Sequence, residues 1–128
     1  MTENEYAHYV ACFNADDFEG FGAYYHDDVV FRLGDKREII GRSAILDFYR
    51  DVKSRIRETL EILSVAPGET SFAVHCRTEF YALEDWPDFV AGPMAKGDVL
   101  NIESLGYYYL RDNKFHRILG ARYRTLPN

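Results

Sequence analysis

The chain opens with a pattern of apolar positions that is typical of an amphipathic helix. The positions that recur at i, i+3, i+4 and i+7 are Tyr6, Tyr9, Val10 and Phe13. Thr2 precedes this run, and Glu5 lies three residues after Thr2, which is the spacing of a capping box. The pattern predicts a first helix that begins near Thr2.

The helical spacing recurs twice before the pattern changes. It is found at Phe18, Phe21, Gly22 and Tyr25, and again at Ile45, Phe48, Tyr49 and Val52. Asp16 or Asp17 is expected to cap the second helix, residues 26–28 to end it, and Ser43 to cap the third. Residues 29–33 and 37–40 are rich in β-branched and aromatic side chains and predict two short strands between these helices.

From residue 58 onward the apolar positions alternate with a period of two. Strands are predicted over residues 58–65, 72–81, 98–110 and 115–124, with a turn at residues 111–114. Residues 84–97, which include Trp86, form a loop long enough to be a lid or an interface arm. Helices segregated from a meandering sheet predict an α+β fold. We expect one domain over residues 1–128, with three N-terminal helices against a curved antiparallel sheet that encloses an apolar cone.

Composition narrows the class of protein. Hydrophobic residues make up 47% and charged residues 28%, a globular balance. The net charge of −6 and the absence of a basic run argue against nucleic acid and against an anionic membrane surface. The polar start and the lack of a long apolar stretch predict neither a signal peptide nor a membrane helix. Cys12 and Cys76 stand far apart, which favours the cytoplasm over a disulfide-forming compartment.

Aromatic residues account for 16% of the chain, and 10 of them are tyrosines. A buried phenol needs a hydrogen-bond partner, so this content indicates a partly polar interior or a lined cavity. The four histidines are scattered and show no metal-ligand spacing, so no metal is expected. No motif for an organic cofactor is present either, and we expect none.

The chain resembles the nuclear-transport-factor-2-like superfamily, which includes SnoaL-like polyketide cyclases and ketosteroid isomerases. The residues that carry the resemblance are 9–17 (YVACFNADD), 24–31 (YYHDDVVF), 41–49 (GRSAILDFY) and 110–114 (LRDNK). The resemblance covers nearly the whole chain apart from residues 84–97. These motifs mark a fold that hosts many unrelated functions, so they imply a cone-shaped pocket without naming a reaction.

Ketosteroid isomerase offers the most detailed comparison of site residues. Its oxyanion-hole tyrosine matches Tyr9, and two supporting tyrosines match Tyr25 and Tyr49. The positions of its two aspartates fall on Leu33 and near Gly106, so both carboxylates are missing. The resemblance therefore implies a phenol network with Tyr9 as the donor, and it argues against steroid isomerase activity itself. Asp35 and His116 remain as candidates for the general base.

The resemblance also implies which side chains line the pocket. The expected lining residues are Phe13, Tyr25, Phe31, Leu33, Tyr49, Val74, Cys76, Trp86, Ser104, Tyr108, Ile118 and Arg122. An arginine facing an apolar cone must be solvated at the mouth or paired with an acid such as Asp35, where it would favour an anionic ligand group. Plainer interpretations stay open: the tyrosines as core aromatics, Arg122 on the surface, and His116 exposed to solvent.

Three function classes follow from these observations. The first is a cofactor-independent enzyme of the isomerase, cyclase or dehydratase type that transfers a proton on a carbonyl-containing apolar substrate. The second is a non-catalytic binding module for an apolar ligand, and the third is a dimeric protein-interaction domain that uses the Trp86 loop. A homodimer is expected through the sheet face that carries Arg77, Glu79, Tyr107 and Tyr109, because it mixes aromatic and charged residues.

Overall fold

The structure, a computed structural model, describes residues 1–127 and contains three helices in that range. They are α1 (Glu3–Asn14), α2 (Phe18–Gly22) and α3 (Arg42–Arg55). The capping box of α1 is confirmed, since the Thr2 side chain accepts from the Glu5 N–H and the Glu5 side chain accepts from the Thr2 N–H. Asp17 caps α2 by accepting from the Gly20 N–H. Within the described residues no helix has the length and apolar character needed to cross a bilayer.

The strands form one six-stranded sheet. They are β1 (Tyr25–Leu33), β2 (Arg37–Ile40), β3 (Ile56–Ala66), β4 (Ser71–Ala82), β5 (Val99–Arg111) and β6 (Lys114–Leu126). Their order across the sheet is β2-β1-β6-β5-β4-β3. All neighbours run antiparallel except β1 and β6, which are parallel. The α+β prediction is confirmed and is consistent with the cone-shaped fold, but the sheet is mixed because the N-terminal strands join it beside the last one.

Two differences from the sequence-based expectation concern the helices α2 and α3. Helix α2 ends at Gly22, and Tyr25 begins a strand instead of closing the helix, because it pairs with Phe115 of β6. The tertiary pairing outweighs the helical spacing of a short segment. Helix α3 is preceded by Gly41, with φ of 95° and no side-chain cap, so Ser43 lies inside the first turn and does not cap it.

The hairpin between β5 and β6 turns where the sequence predicts. Asp112 and Asn113 both adopt left-handed backbone conformations, with φ of 53° and 57°. Such a pair is what a tight two-residue hairpin requires, and aspartate and asparagine tolerate it better than most side chains. The turn therefore sets the pairing of the two longest strands in the molecule.

The inner face of the sheet and the helices enclose two groups of buried side chains. The larger group fills one end with aromatic rings around Phe115, which is fully buried and contacts the rings of Tyr6, Tyr9 and Tyr108. The smaller group lies at the other end, between α3, the strands β4 and β5, and the loop 84–97. The space between these groups is where a site can form.

Candidate functional site

A cavity of about 360 Å³ opens at the end of the molecule covered by the loop 84–97. This volume lies within the range of small-molecule sites in proteins. Its walls come from the turn after β1, helix α3, the inner face of β3 to β6, and the loop: Leu33, Lys36, Phe48, Tyr49, Val52, Glu58, Phe80, Phe89, Val90, Ala91, Ile102, Gly120 and Arg122. Most of these side chains are apolar, so the few polar groups stand out.

Within residues 1–127, Glu58 is the only carboxylate that lines this cavity. It lies on β3 directly opposite Phe80 of β4, on the strand face that also carries the buried Ile56. Among residues 1–127 its carboxylate forms no ion pair and no side-chain hydrogen bond. Burial among apolar walls raises its pKa to about 7, although the nearby Lys53 partly opposes this. Glu58 can therefore hold or release a proton near neutral pH.

Tyr49 places a phenol in the same cavity. It lies on α3, where the rings of Phe13 and Phe48 meet it edge-on at 5.0 and 5.1 Å. Burial, and secondarily the charge of Glu58, raises the pKa of Tyr49 well above its usual value. The hydroxyl stays protonated at neutral pH and, within the described part of the chain, bonds to no protein group. It is free to donate to a bound molecule.

Lys53 is the positively charged group that lowers the pKa of Glu58. Its ammonium group is almost completely buried and donates to the Phe13 carbonyl at 2.8 Å and to Asp16 Oδ1 at 2.7 Å. It also lies 3.9 Å from the centre of the Phe13 ring. These contacts hold α3 against the end of α1, and the charge of Lys53 limits how far burial raises the pKa of Glu58.

The expected three-tyrosine network is divided in the structure. The hydroxyls of Tyr9 and Tyr25 bond to each other at 2.6 Å, and those of Tyr6 and Tyr108 at 2.9 Å. Neither pair lines the cavity. Aromatic rings surround Tyr9, the predicted donor to ligand, and its hydroxyl is satisfied by Tyr25. Of the three predicted phenols, only Tyr49 reaches the cavity.

Other predicted lining residues divide in the same way. Leu33 and Arg122 line the cavity. The rest of the set lies outside its wall, mostly in the aromatic end, where the interior is filled: Phe13, Phe31, Val74, Cys76, Ser104, Tyr108 and Ile118. At that end the aromatic rings pack against one another around Phe115.

The two candidate bases do not reach the cavity. Asp35 is exposed in the turn between β1 and β2, although its neighbour Lys36 lines the rim. His116 is the extra residue of a β-bulge, since Tyr109 of β5 pairs with Arg117 while the next residue pairs with Phe115. The bulge turns His116 toward the ring of His26, at 5.7 Å between centroids.

The loop 84–97 closes one side of the cavity. Phe89, Val90 and Ala91 line it, whereas Trp86 packs behind Phe89 at 4.9 Å between rings and lies outside the wall. The Arg55 guanidinium covers the Trp86 ring at 3.6 Å. Trp86 is therefore an anchor of this loop and neither a pocket residue nor an exposed one.

Glu58 is the residue that the sequence prediction missed, and a signal for it existed. On β3, every second residue lies on the same face of the strand. Glu58 therefore shares a face with the apolar Ile56, Leu60 and Ile62, which places a charge among apolar neighbours.

No group of three or more His, Cys, Asp or Glu side chains within residues 1–127 is arranged as a metal site. The polar chemistry of the cavity thus consists of Glu58, Tyr49 and the two cations at the rim.

Comparison with known proteins agrees with this fold. The family model for the SnoaL-like domain matches residues 6–118. The chain belongs to the SnoaL-like family. No curated protein matches this SnoaL-like domain significantly.

Solved structures resemble the SnoaL-like domain along almost its whole length. A protein from Xanthomonas campestris pv. campestris, described as a candidate polyketide cyclase, is 21% identical with a TM-score of 0.79, covering 92% of this chain and 87% of that one. An LEH-like epoxide hydrolase from M. tuberculosis is 11% identical with a TM-score of 0.75, covering 93% and 80%. A protein with a ketosteroid-isomerase-like fold from Catenulispora acidiphila, in complex with trimethylamine, is 9% identical with a TM-score of 0.73, covering 98% and 88%. At these identities the likeness shows the fold alone.

Proposed function

We propose that this SnoaL-like domain transfers a proton on a small, largely apolar carbonyl compound held in the cavity. Glu58 would act as the acid–base group, and Tyr49 would donate a hydrogen bond to the carbonyl oxygen. The observation that carries the proposal is a single unpaired carboxyl, with a pKa of about 7, in an otherwise apolar cavity. A catalytic base is most effective when its pKa lies near the working pH.

The proposed step needs no other reactant. The Glu58 carboxylate removes a proton from the carbon next to the carbonyl, and the electron pair moves onto the carbonyl oxygen to form an enolate. The Tyr49 hydroxyl stabilises this oxyanion, which is worth most in a site that excludes water. The protonated Glu58 then returns the proton to carbon. Return to the same carbon results in proton exchange, and return to another carbon isomerises the compound.

The test uses 1-tetralone, a bicyclic ketone, as a probe of proton exchange in D₂O followed by NMR. We expect the parent protein to accelerate exchange next to the carbonyl, with a rate that rises through about pH 7 as Glu58 ionises. The Glu58→Gln variant should lose at least about 100-fold of this rate. Glu61→Gln is the matched control, because Glu61 lies three residues along β3 and is exposed.

Two outcomes would contradict the proposal. Equal exchange in the parent and in Glu58→Gln would remove Glu58 from the chemistry. Binding of the ketone with no exchange above the solvent background would favour the second candidate, a non-catalytic binding module. That alternative is supported by the lack of both ketosteroid isomerase aspartates at Leu33 and Gly106.

We also propose that the domain pairs with a second copy through the outer face of the sheet. Leu105, Tyr107 and Tyr109 stand there in a row along β5, 51%, 41% and 42% exposed. Tyr123 adds to this apolar surface and is 62% exposed. Aromatic residues among charged ones are typical of protein interfaces, and a two-fold pair would bury this face against itself.

Sedimentation at micromolar concentration tests this pairing. The parent should sediment as a dimer and Leu105→Lys as a monomer. Ile40→Lys is the matched control, since Ile40 is 64% exposed but lies on the edge strand β2. A monomeric parent, or a dimer that Leu105→Lys leaves intact, would overturn this proposal.

A further inference from the structure

Resting on the proposed function, we infer that the substrate carries a carboxylate, which Lys36 and Arg122 bind at the rim while its apolar body enters the cavity. Both cations line the same opening as the proposed acid–base group. The inference adds a substrate class and an orientation to the proposed reaction, and it concerns equilibrium binding.

The sheet itself brings the two cations to one rim. Leu33, the last residue of β1, pairs with Gly120 of β6, and the Gly34 N–H donates to the Gly120 carbonyl at 2.7 Å. The turn that follows carries Lys36, while β6 continues past Gly120 to Arg122. The strand end and the turn thus place Lys36 and Arg122 on the wall of the same cavity.

Arg122 faces inward because it continues the alternation of the buried Ile118, and a second β-bulge after it turns Arg124 to the other face. Ser104 pairs with Arg122, but Glu103 pairs with Arg124, so Tyr123 is left without a partner in β5. Residues 122 and 124 would otherwise share a face. With the bulge between them, Arg124 binds Glu103 through two hydrogen bonds of 3.0 Å, whereas Arg122 lines the cavity.

Neither cation at the rim has an acidic partner within residues 1–127, although the chain holds 21 acidic residues against 15 basic ones. Seven other cations in that range do form ion pairs with carboxylates: Arg32, Arg42, Arg50, Lys53, Arg55, Arg77 and Arg124. Six other Lys and Arg side chains in that range also lack an ion pair. Lys36 and Arg122 differ from those six because both line the same cavity. These two cations attract an anionic group to the cavity and can pair with its charge there.

Arg122 retains donors for a ligand. Its Nη2 donates to the Ala91 carbonyl at 2.6 Å, and its Nη1 donates to the Thr125 hydroxyl at 3.4 Å. A guanidinium has five N–H donors, so these two bonds leave roughly three free. The bond to Ala91 holds the group in place, which lowers the entropy lost when it binds a carboxylate.

Glu58 supports the same orientation from the other side. It lies on β3, and the rim cations lie on the turn after β1 and on β6. An ionised Glu58 repels a carboxylate, so the ligand's anionic end is directed to the rim and its carbonyl end toward Glu58 and Tyr49. A cationic ligand would be placed in the reverse orientation, with its charge beside Glu58.

The test compares 2-naphthoate with its neutral isostere 2-naphthamide by isothermal titration calorimetry. We expect the parent to bind the naphthoate at least about tenfold more tightly, and Lys36→Gln to lose most of that preference with the amide unaffected. Arg122→Gln should weaken the naphthoate more than the amide, even though losing the Ala91 bond affects both. Lys96→Gln is the matched control, because Lys96 lies in the loop 84–97 but does not line the cavity.

The outcomes separate this inference from the proposed reaction. Equal affinity of the parent for both probes, or a Lys36→Gln variant that keeps the full preference, would overturn it. Glu58→Gln should lose proton exchange on the ketone yet keep its preference for the naphthoate. A protein with that preference but no exchange would support the anionic ligand and contradict only the acid–base role of Glu58.

Discussion

The two ends of the interior are built from the same sheet face and treat their polar groups in opposite ways. At the aromatic end, four tyrosine hydroxyls bond to one another in two pairs, and rings fill the space. At the cavity end, Glu58 and the Tyr49 hydroxyl have no protein partner within residues 1–127. A buried polar group that is satisfied by a neighbour stabilises the fold, whereas one left open at a cavity is available to a ligand.

This contrast separates stability from function along the molecule. Tyr9 and Tyr49 lie in one aromatic cluster and look equivalent in a helical pattern. Their roles differ because Tyr9 meets another hydroxyl and Tyr49 meets empty space. Residue type and burial therefore do not distinguish a site residue from a core residue here. The distinction lies in whether the polar atom has a hydrogen-bond partner in the protein.

The largest difference between the two ends should appear when a ring is removed. Phe115→Ala should cost about 3–5 kcal/mol in the free energy of unfolding, because Phe115 is fully buried among other rings. Phe48→Ala at the cavity should cost roughly half of that or less, since Phe48 already borders open space. Urea denaturation followed by circular dichroism measures both. Equal losses would show that the cavity end is packed as tightly as the aromatic end.

The charge in the cavity should make stability depend on pH. In the unfolded chain the Glu58 carboxyl titrates near 4.5, and in the fold near 7. Between these values the folded protein holds more protons, so the parent's free energy of unfolding falls as pH rises.

Glu58→Gln removes this dependence. We expect the variant to be more stable than the parent above pH 7 by on the order of 2 kcal/mol, and the difference to vanish below pH 4.5. Denaturation curves at several pH values give the difference, with Glu61→Gln as control. A variant that is equally or less stable than the parent at pH 8 would contradict the expectation that the ionised Glu58 carboxylate destabilises the fold.

Removing a hydroxyl from the aromatic end should affect folding and leave ligand binding unchanged. Tyr9→Phe leaves the buried Tyr25 hydroxyl without its partner at 2.6 Å, which should cost about 1 kcal/mol in unfolding free energy. The affinity for 1-tetralone, measured by calorimetry, should match the parent's. A clear loss of affinity with unchanged stability would restore Tyr9 as a donor to the ligand.

The same change at the cavity end should have the opposite result and the smallest effect on folding. Tyr49→Phe removes a hydroxyl that bonds to no described protein group, so the unfolding free energy should change by less than about 0.5 kcal/mol. The affinity for 1-tetralone should fall several-fold, because the carbonyl loses its donor. If the ketone binds as tightly as before, its oxygen does not bond to Tyr49.

The local patterns of the sequence determined most elements of this protein. The helix of Tyr6 to Phe13, its capping box and the tight turn at Asp112 each depend on neighbouring residues, and all three are confirmed. The alternation along β4 correctly identified its buried face. Helix spacing, capping and turn conformation are short-range effects, so a sequence expresses them directly.

The tertiary structure alone decided where the site is. The parallel pairing of β1 with β6 drew Tyr25 out of the helix, and the bulges in β6 turned His116 away from the cavity and Arg124 to the outer face. The cavity lies where the ring packing stops, beside Glu58. Sheet register and leftover space depend on contacts between residues distant in sequence, and a shift of one residue reverses every side chain on a strand.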